Sequence, residues 1–372
     1  MSEANFVAKR VATGYMSWRL PPRPWNIITA GQPAAGTVPV GSTSAQASFA
    51  PSDAVNGGSS CGVAAAGELE GQARAPRAKT SRRTRRTTTG LSVSRSKISA
   101  MDPGPIGVFD SGVGGLTVLH ECLVTLPHED FVYLGDHARL PYGPRPLEEV
   151  RGFAREIGTF LEAQDVKLIV VACNTATSAA LPELQEELAV PVIGVISPEA
   201  HAAVLATRNR RVGLLATQGT VDSGRYAELV RALDRGVSFH PVACPRLVTL
   251  IEGDEPYGEE TEAAVREYVA PLKAVGVDTV ILGCTHYPLI RPILQRVLGR
   301  DVTLVFSAEE TAREAAETLS RKRIENDAKR EGAYRFLTTG DPATFREMGR
   351  RFLQLPIGEV EHVTLAQLGA AA

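Results

Sequence analysis

Two cysteines lie where buried strands are predicted to end. Cys173 occurs in VVACNTAT and Cys284 in ILGCTHYPL, each close behind an apolar run. A helix that follows such a strand supplies exposed backbone N–H groups and the positive end of its dipole, which lower the pKa of a thiol from about 8.5. A single cysteine is most often a small buried hydrophobic residue, and Cys122 and Cys244 are interpreted in this way. Because hydrophilic residues follow Cys173 and Cys284 immediately, the pattern favours two reactive thiols at these positions.

An ionisable side chain also ends the first predicted strand, in IGVFDSGVGGLTV. Asp110 and Ser111 stand at this end, and the glycines that follow allow a backbone to approach a small ligand closely. The segment lacks the Gly-Lys-Ser/Thr of a Walker loop, and Thr117 occupies the third glycine position of a dinucleotide fingerprint. Nucleotide binding is therefore disfavoured, and Asp110 is either part of a small-ligand site or a cap of the next helix.

Three further groups are weaker candidates when each is taken alone. His286 follows Cys284 by two residues, so a role as the proton partner of that thiol is favoured over that of a satisfied core histidine. The PYG of LGDHARLPYG predicts a turn that closes over a ligand. Glu252, in LVTLIEGDEP, is not distinguished from other glutamates by its sequence context.

Two thiols on opposite sides of one small cleft can serve both faces of a carbon atom. One thiolate removes a proton from one face and one thiol replaces it on the other, which is the chemistry of a two-base racemase or epimerase. The sequence contains no recognisable lysine-centred motif for pyridoxal phosphate. We therefore expect no cofactor, and hydrogen bonds and fixed charges must stabilise the carbanion-like transition state.

The elements that must position these groups alternate regularly along the chain. From residue 101 onward, short apolar runs rich in β-branched residues are separated by longer amphipathic stretches. This pattern predicts parallel sheets covered by helices on both faces, the doubly wound α/β class. Ligand chemistry in that class lies at the carboxyl ends of the strands, where the two cysteines are placed.

A weak internal repeat predicts two similar lobes. The interval from Asp110 to Cys173 is nearly equal in length to the interval from Thr217 to Cys284. Each pair consists of a polar residue at one strand end and a cysteine near another, so two such lobes would face each other across a cleft. The lobes are predicted to comprise residues 101–197 with 307–372, and residues 198–306.

The first hundred residues differ from the rest in composition. Residues 1–100 contain 13 Lys/Arg against 4 acidic residues, in stretches with no helical or strand period. Such a segment buries too little apolar surface to offset its ordering entropy, so we predict a disordered basic extension. A solvated tail is favoured over a nucleic-acid contact because Trp18 and Trp25 lie far from the Arg cluster. An organellar transit peptide is an alternative, and translation that truly begins at Met101 is preferred to both.

Charge, cysteine usage and hydropathy favour a soluble protein with reduced thiols. Residues 101–372 contain 27 basic and 38 acidic residues, which is typical of a mildly acidic soluble protein. The five cysteines include no C-x-x-C pair, and no secretory signal precedes them. This favours reduced thiols in the cytoplasm over disulfides or a zinc site. No run of 18 or more apolar residues occurs, so we expect no membrane span.

Five motifs together resemble one family, the cofactor-independent aspartate/glutamate racemases, and within it the glutamate racemases. In chain order they are IGVFDSGVGGLTV, GDHARLPYG, VVACNTAT, VIGVI and GCTHYPL. The resemblance covers residues 104 to about 365 and none of residues 1–100. It implies interconversion of L- and D-glutamate, which supplies D-glutamate for peptidoglycan, by a homodimer that uses no cofactor and no metal.

The resemblance also implies roles for individual residues. Cys173 and Cys284 become the two proton donors and acceptors, with Cys173 acting on the D-isomer. Asp110 and His286 assist the two thiols, and Glu252 works beside His286. The residues implied to contact the substrate are Asp110, Ser111, Tyr142, Gly143, Asn174, Thr175, Thr220, Thr285 and His286.

Other functions stay open at this point. The two-thiol arrangement is indifferent to side-chain length, so an aspartate or other amino-acid racemase is the nearest alternative. A thiol redox or metal-binding protein is disfavoured because Cys173 and Cys284 lie far apart in the chain and outside any C-x-x-C pair. A third alternative is a partner-binding protein that acts through its basic tail, as do members of this family that inhibit DNA gyrase.

Overall fold

The computed structural model describes residues 104–326 and 330–371. The predicted disordered extension, residues 1–100, lies outside the described residues. The strands are β1 Ile106–Asp110, β2 Phe131–Gly135, β3 Leu168–Val171, β4 Val192–Gly194, β5 Arg211–Ala216, β6 Ser238–Ala243, β7 Thr279–Gly283, β8 Thr303–Val305, β9 Tyr334–Thr338 and β10 Val360–His362.

Helices connect most of these strands, as the alternating pattern predicts. They are α1 Leu116–Thr125, α2 Leu147–Glu162, α3 Asn174–Glu187, α4 Ile196–Ala206, α5 Gln218–Asp222, α6 Arg225–Leu233, α7 Leu247–Glu252, α8 Glu259–Val275, α9 Arg291–Leu298, α10 Ser307–Lys322, α11 Pro342–Leu353 and α12 Leu365–Ala371. Two short 3₁₀ helices are His137–Arg139 and Tyr287–Ile290.

The strands form two sheets in which every pair of neighbours is parallel. The first sheet has the order β10-β9-β2-β1-β3-β4, and the second has the order β6-β5-β7-β8. All residues of the central strands β1, β3 and β7 are buried, because helices cover both faces and the strand sequences are almost continuously apolar. The predicted α/β fold with two doubly wound lobes is confirmed.

The two sheets share one internal order, which explains the repeat in the sequence. The run β2-β1-β3-β4 of the first sheet corresponds to β6-β5-β7-β8 of the second. Asp110 ends β1 and Thr217 directly follows β5, while Cys173 follows β3 and Cys284 follows β7. The two thiols therefore occupy equivalent places, at the carboxyl ends of equivalent strands.

Two strands of the first sheet were not predicted. Strand β9 pairs with β2, and β10 pairs with β9, so the chain adds an edge to the first sheet after α10. The strands of the first sheet lie within residues 106–194 and 334–362, and those of the second within 211–305. The exact lobe boundaries stay a prediction. Within the described ranges, none of the helices combines the length and apolar character needed to cross a bilayer.

Candidate active site

One cavity lies where the carboxyl ends of the two sheets meet. Its empty space is about 310 Å³, part of which is open to solvent. Nine residues singled out from the sequence line it: Ser111, Tyr142, Gly143, Cys173, Asn174, Thr175, Cys284, Thr285 and His286. Four others also line it: Pro141 of the PYG turn, Thr217 of the internal repeat, and Leu140 and Val248, which the sequence did not mark. The cavity thus contains both thiols.

Cys173 caps the amino terminus of α3, as its position after a strand predicts. Its sulfur accepts a hydrogen bond from the backbone N–H of Ala176 at 3.5 Å. The expected lowering of its pKa is wrong for this structure. Burial raises the pKa of the Cys173 thiol, the charge of Asp110 raises it further, and the hydrogen bond from Ala176 does not offset them. The side chain of Cys173 is therefore a protonated thiol near neutral pH.

Asp110 lies behind Cys173 and is completely buried. Its Oδ2 accepts hydrogen bonds from the backbone N–H groups of Gly112 at 3.2 Å and Gly115 at 2.9 Å. Its Oδ1 has no hydrogen-bond partner among the described residues. Asp110 therefore combines both sequence interpretations: one oxygen fixes the turn before α1, and the other remains available for a ligand or a proton.

Cys284 has a different partner, an imidazole held by a carboxylate. The sulfur of Cys284 lies 3.7 Å from Nδ1 of His286, and Nε2 of His286 lies 2.7 Å from Oε1 of Glu252. Burial alone lowers the pKa of His286, but its interactions with Cys284 and Glu252 raise that pKa well above the usual value. His286 is therefore able to hold a proton taken from the Cys284 thiol. Unlike Cys173, Cys284 precedes a short 3₁₀ helix instead of capping an α-helix.

Three threonine hydroxyls join the two lobes beside the cavity. The Oγ1 of Thr175 lies 2.9 Å from that of Thr217 and 3.3 Å from that of Thr220. Thr217 lines the cavity, whereas Thr220 supports the other two from behind. The signal for Thr217 was present in the sequence, because it follows β5 as a polar residue in the repeat. Val248 carried no such signal.

The PYG segment closes one side of the cavity, but the hydroxyl of Tyr142 is already engaged. Tyr142 is buried and donates a hydrogen bond to Asp136, which also accepts from Nε of Arg139 at 2.6 Å. The carbonyl of Gly143 accepts a hydrogen bond from the N–H of Gly219 at 2.9 Å. Tyr142 and Gly143 therefore form part of a wall tied to both lobes.

The glycines after Asp110 allow close packing within the protein. A Cβ atom on Gly114 would lie 2.4 Å from Nδ1 of His286, and one on Gly115 would lie 2.6 Å from Cβ of Asp110. We expected these glycines to let the backbone approach a ligand. The structure instead places side chains of the site itself against them, so Gly114 sets how closely the first lobe approaches His286.

Comparison with known proteins places this arrangement in one family. The sequence pattern of the Asp/Glu/Hydantoin racemases matches residues 115–315. A glutamate racemase of Listeria monocytogenes is 45% identical over 262 residues, which are 70% of this chain and 98% of the relative. This chain belongs to the Asp/Glu/Hydantoin racemase family. It is an amino-acid racemase, and racemisation is the type of reaction that the two thiols predict.

Further members of the racemase family agree in sequence and fold. A glutamate racemase of Corynebacterium diphtheriae is 46% identical over 261 residues, covering 70% of this racemase and 98% of the relative. A crystal structure of a glutamate racemase isoform from Bacillus anthracis superposes with a TM-score of 0.68 at 43% identity, covering 71% of this racemase and 98% of that chain. One from Francisella tularensis, solved in complex with D-glutamate, gives 0.67 at 35% identity, covering 71% and 99%.

Proposed function

We propose that this racemase interconverts L- and D-glutamate without a cofactor, with Cys173 and Cys284 exchanging the α-proton on opposite faces of the carbon. The observation that carries the proposal is the pair of thiols that follow equivalent strands of two similar sheets and line one cavity. Each thiol also has a separate acid–base partner, Asp110 for Cys173 and His286 with Glu252 for Cys284.

The protonation of the two sites matches a two-base reaction. Cys173 rests as a thiol, because burial and Asp110 raise its pKa. In the proposed reaction His286 accepts the proton of Cys284, because its interactions with Cys284 and Glu252 raise the pKa of the imidazole. From the L-isomer, the Cys284 thiolate removes the α-proton and becomes a thiol. Cys173 then donates its proton to the opposite face and becomes a thiolate. Before the next turnover, Cys173 takes up a proton through Asp110 and Cys284 gives up the substrate's proton through His286, so solvent supplies one proton and receives one.

The cavity also offers partners for each charged group of glutamate. The first N–H groups of α3 have no intrahelical partner, so those of Asn174 and Thr175 can bind a carboxylate. The hydroxyls of Ser111 and Thr285 add further donors. Hydrogen bonds to the α-carboxylate strengthen as negative charge develops on it in the carbanion-like transition state, and this supplies the stabilisation that a cofactor would otherwise provide.

The choice of glutamate as substrate is supported by the relatives. Proteins 45–46% identical to this racemase, across nearly their whole length, are glutamate racemases, and one solved neighbour holds D-glutamate. We further propose a cytoplasmic homodimer that supplies D-glutamate for peptidoglycan. The lobes are proposed to divide at residues 197/198 and 306/307.

The test is racemisation by the full-length protein with no cofactor added. Circular dichroism should show L-glutamate and D-glutamate converging on zero signal, and the rate should be unchanged by EDTA or by hydroxylamine, which captures pyridoxal phosphate. L-Aspartate, run in parallel, should react much more slowly. Faster racemisation of aspartate than glutamate would contradict the proposed substrate, and no racemisation of any amino acid would contradict the proposed reaction.

A further inference from the structure

A buried polar cluster lies next to the cavity, and Asn174 is its one member that also lines the cavity. It consists of Glu199, Tyr226, Asn174 and Ser307, and is called here the Glu199 cluster. Glu199 is completely buried and Tyr226 is only 1% exposed. Removing a carboxyl group from water is unfavourable unless hydrogen bonds replace its hydration. A completely buried glutamate is therefore unfavourable for folding unless its hydrogen bonds offset this cost, so these hydrogen bonds are expected to serve a function.

The four residues of the Glu199 cluster come from four different helices. Asn174 begins α3 of the first lobe, and Tyr226 lies in α6 of the second. Glu199 lies in α4 and Ser307 begins α10, and these two helices connect one sheet to the other. The cluster thus joins both lobes at the point where the chain crosses between them.

The hydrogen bonds of the cluster fix the orientation of one amide. Nδ2 of Asn174 donates to Oε2 of Glu199 at 3.0 Å and to the hydroxyl of Tyr226 at 2.8 Å, and that hydroxyl donates in turn to Glu199. Both N–H groups of the amide are therefore used. Flipping the amide, so that its oxygen and nitrogen exchange places, would put the carbonyl oxygen against the Tyr226 oxygen, whose own proton is already donated to Glu199.

With the amide fixed in this orientation, its carbonyl oxygen is an acceptor without a partner. Oδ1 of Asn174 is buried and has no hydrogen-bond partner in the described part of the chain, as is also true of Oδ1 of Asp110. Asn174 lines the cavity next to Cys173, and the charge of Asp110 acts on the same thiol. The ammonium group of an amino acid carries three N–H donors and no acceptor, so two unpartnered acceptor oxygens beside one thiol match that group.

We propose that Glu199 is a positioning residue for racemisation: with Tyr226 it holds the Asn174 amide so that Oδ1 accepts a hydrogen bond from the substrate ammonium. This inference rests on the proposed function. Glu199 touches no substrate itself and acts through Asn174. Because the ammonium is present in both substrate and transition state, this hydrogen bond contributes to binding in both and is expressed in KM more than in kcat.

The test compares two substitutions of Glu199 that differ in acceptor capacity. Glu199→Met keeps an unbranched side chain of similar length but provides no strong acceptor, so the amide is released. We expect KM for glutamate to rise about tenfold or more, the effect of losing a hydrogen bond to a charged group, with kcat within about threefold of wild type. Glu199→Gln keeps an acceptor oxygen and should restore KM to within about threefold of wild type.

Glutarate separates positioning from general damage to the site. It carries both carboxylates of glutamate but no ammonium, so its inhibition constant should be the same for Glu199→Met and wild type. Equal weakening of glutamate and glutarate, or no change in either, would overturn the inference. If Glu199→Met does not fold, Tyr226→Phe provides the second variant, since it removes one partner of the amide. It should raise KM for glutamate about threefold and leave glutarate unaffected.

A matched control removes a buried carboxylate elsewhere. Glu129 pairs with Lys167 at 2.5 Å and both side chains are buried, but the pair lies before the amino end of β2, away from the cavity. Glu129→Gln should lower the melting temperature without changing KM for glutamate.

If wild type proves to racemise aspartate, the proposed substrate fails. The Glu199 variants are then compared with aspartate as substrate and succinate as inhibitor, and this comparison tests the role of Glu199 independently of the proposed substrate.

Discussion

Replacing Glu199 by Gln should make the stability of this racemase less dependent on pH. Burial raises the pKa of Glu199 from 4.5 to about 8, and the hydrogen bonds from Tyr226, Ser307 and Asn174 do not offset it. One pH unit of difference in pKa corresponds to about 1.4 kcal/mol. Ionised Glu199 therefore costs the folded protein about 5 kcal/mol relative to the protonated form.

The sign follows from proton binding in the two states. The folded protein binds the Glu199 proton more tightly than the unfolded chain, because the folded-state pKa is the higher of the two. This proton contributes stability that is fully present below pH 4.5 and is lost as pH rises to about 8. Glutamine resembles the protonated acid at every pH, so the variant does not lose this contribution.

The assay is urea unfolding of wild type and Glu199→Gln at intervals from pH 5 to pH 9. All other titrating groups are common to the two proteins, so the difference in free energy of unfolding isolates Glu199. That difference should grow in favour of the variant by up to about 1.4 kcal/mol per pH unit and become constant above about pH 8. Parallel curves for the two proteins across this range would refute the reasoning, because they would show that Glu199 titrates alike in folded and unfolded states.

Three further predictions test the site directly. Cys173→Ala and Cys284→Ala should each lower racemisation of glutamate by about 10³-fold or more while the far-ultraviolet circular dichroism stays unchanged, because neither thiol serves the face of the other. Glu252→Gln should lower kcat/KM by about tenfold to a hundredfold, since it weakens the imidazole's hold on a proton. The loss must be equal for both isomers, as the equilibrium constant of a racemisation is one, and unequal losses would indicate a different reaction. Gly114→Ala should lower both activity and melting temperature, since the added Cβ would lie 2.4 Å from an imidazole nitrogen. Gly152→Ala is its control, because no atom lies within 4 Å of a Cβ there, and it should be neutral or stabilising.

The fold could be predicted from the sequence to a large extent. Buried parallel strands such as β3, with the sequence LIVV, are apolar throughout, and this pattern carries over directly into the sheets. Strands β9 and β10 were not predicted, because each follows a helix and has a mixed sequence, YRFLT and VEH. The place of β9 is decided by pairing with β2, which is distant in the chain, and β10 then pairs with β9.

The residues of the site were predictable where they directly follow the end of a predicted strand. Cys173 and Cys284 stand out because polar residues follow apolar strands at both places. Glu252 does not stand out, because its role depends on the 2.7 Å contact with His286, a residue distant in the chain.

Electrostatic properties were the least predictable. The helix that begins after Cys173 suggested a lowered thiol pKa, but burial and the charge of Asp110 outweigh the helix and raise it. Burial and the distance to another charge are set by the tertiary structure. Glu199 shows the same limit, since nothing in SPEAH marks that glutamate as buried.

The central claim is that two thiols act on opposite faces of the substrate, and its most direct test is isotope transfer in the first turnovers. Full-length protein is mixed with L-glutamate in deuterium oxide. At low conversion the two isomers are separated, and the deuterium content of each is measured by mass spectrometry. We predict that the D-glutamate formed carries one deuterium at the α-carbon while the remaining L-glutamate carries none, because one thiol removes the proton and the other supplies deuterium from solvent. D-Glutamate that retains the original proton would contradict this account, since a single base would then serve both faces.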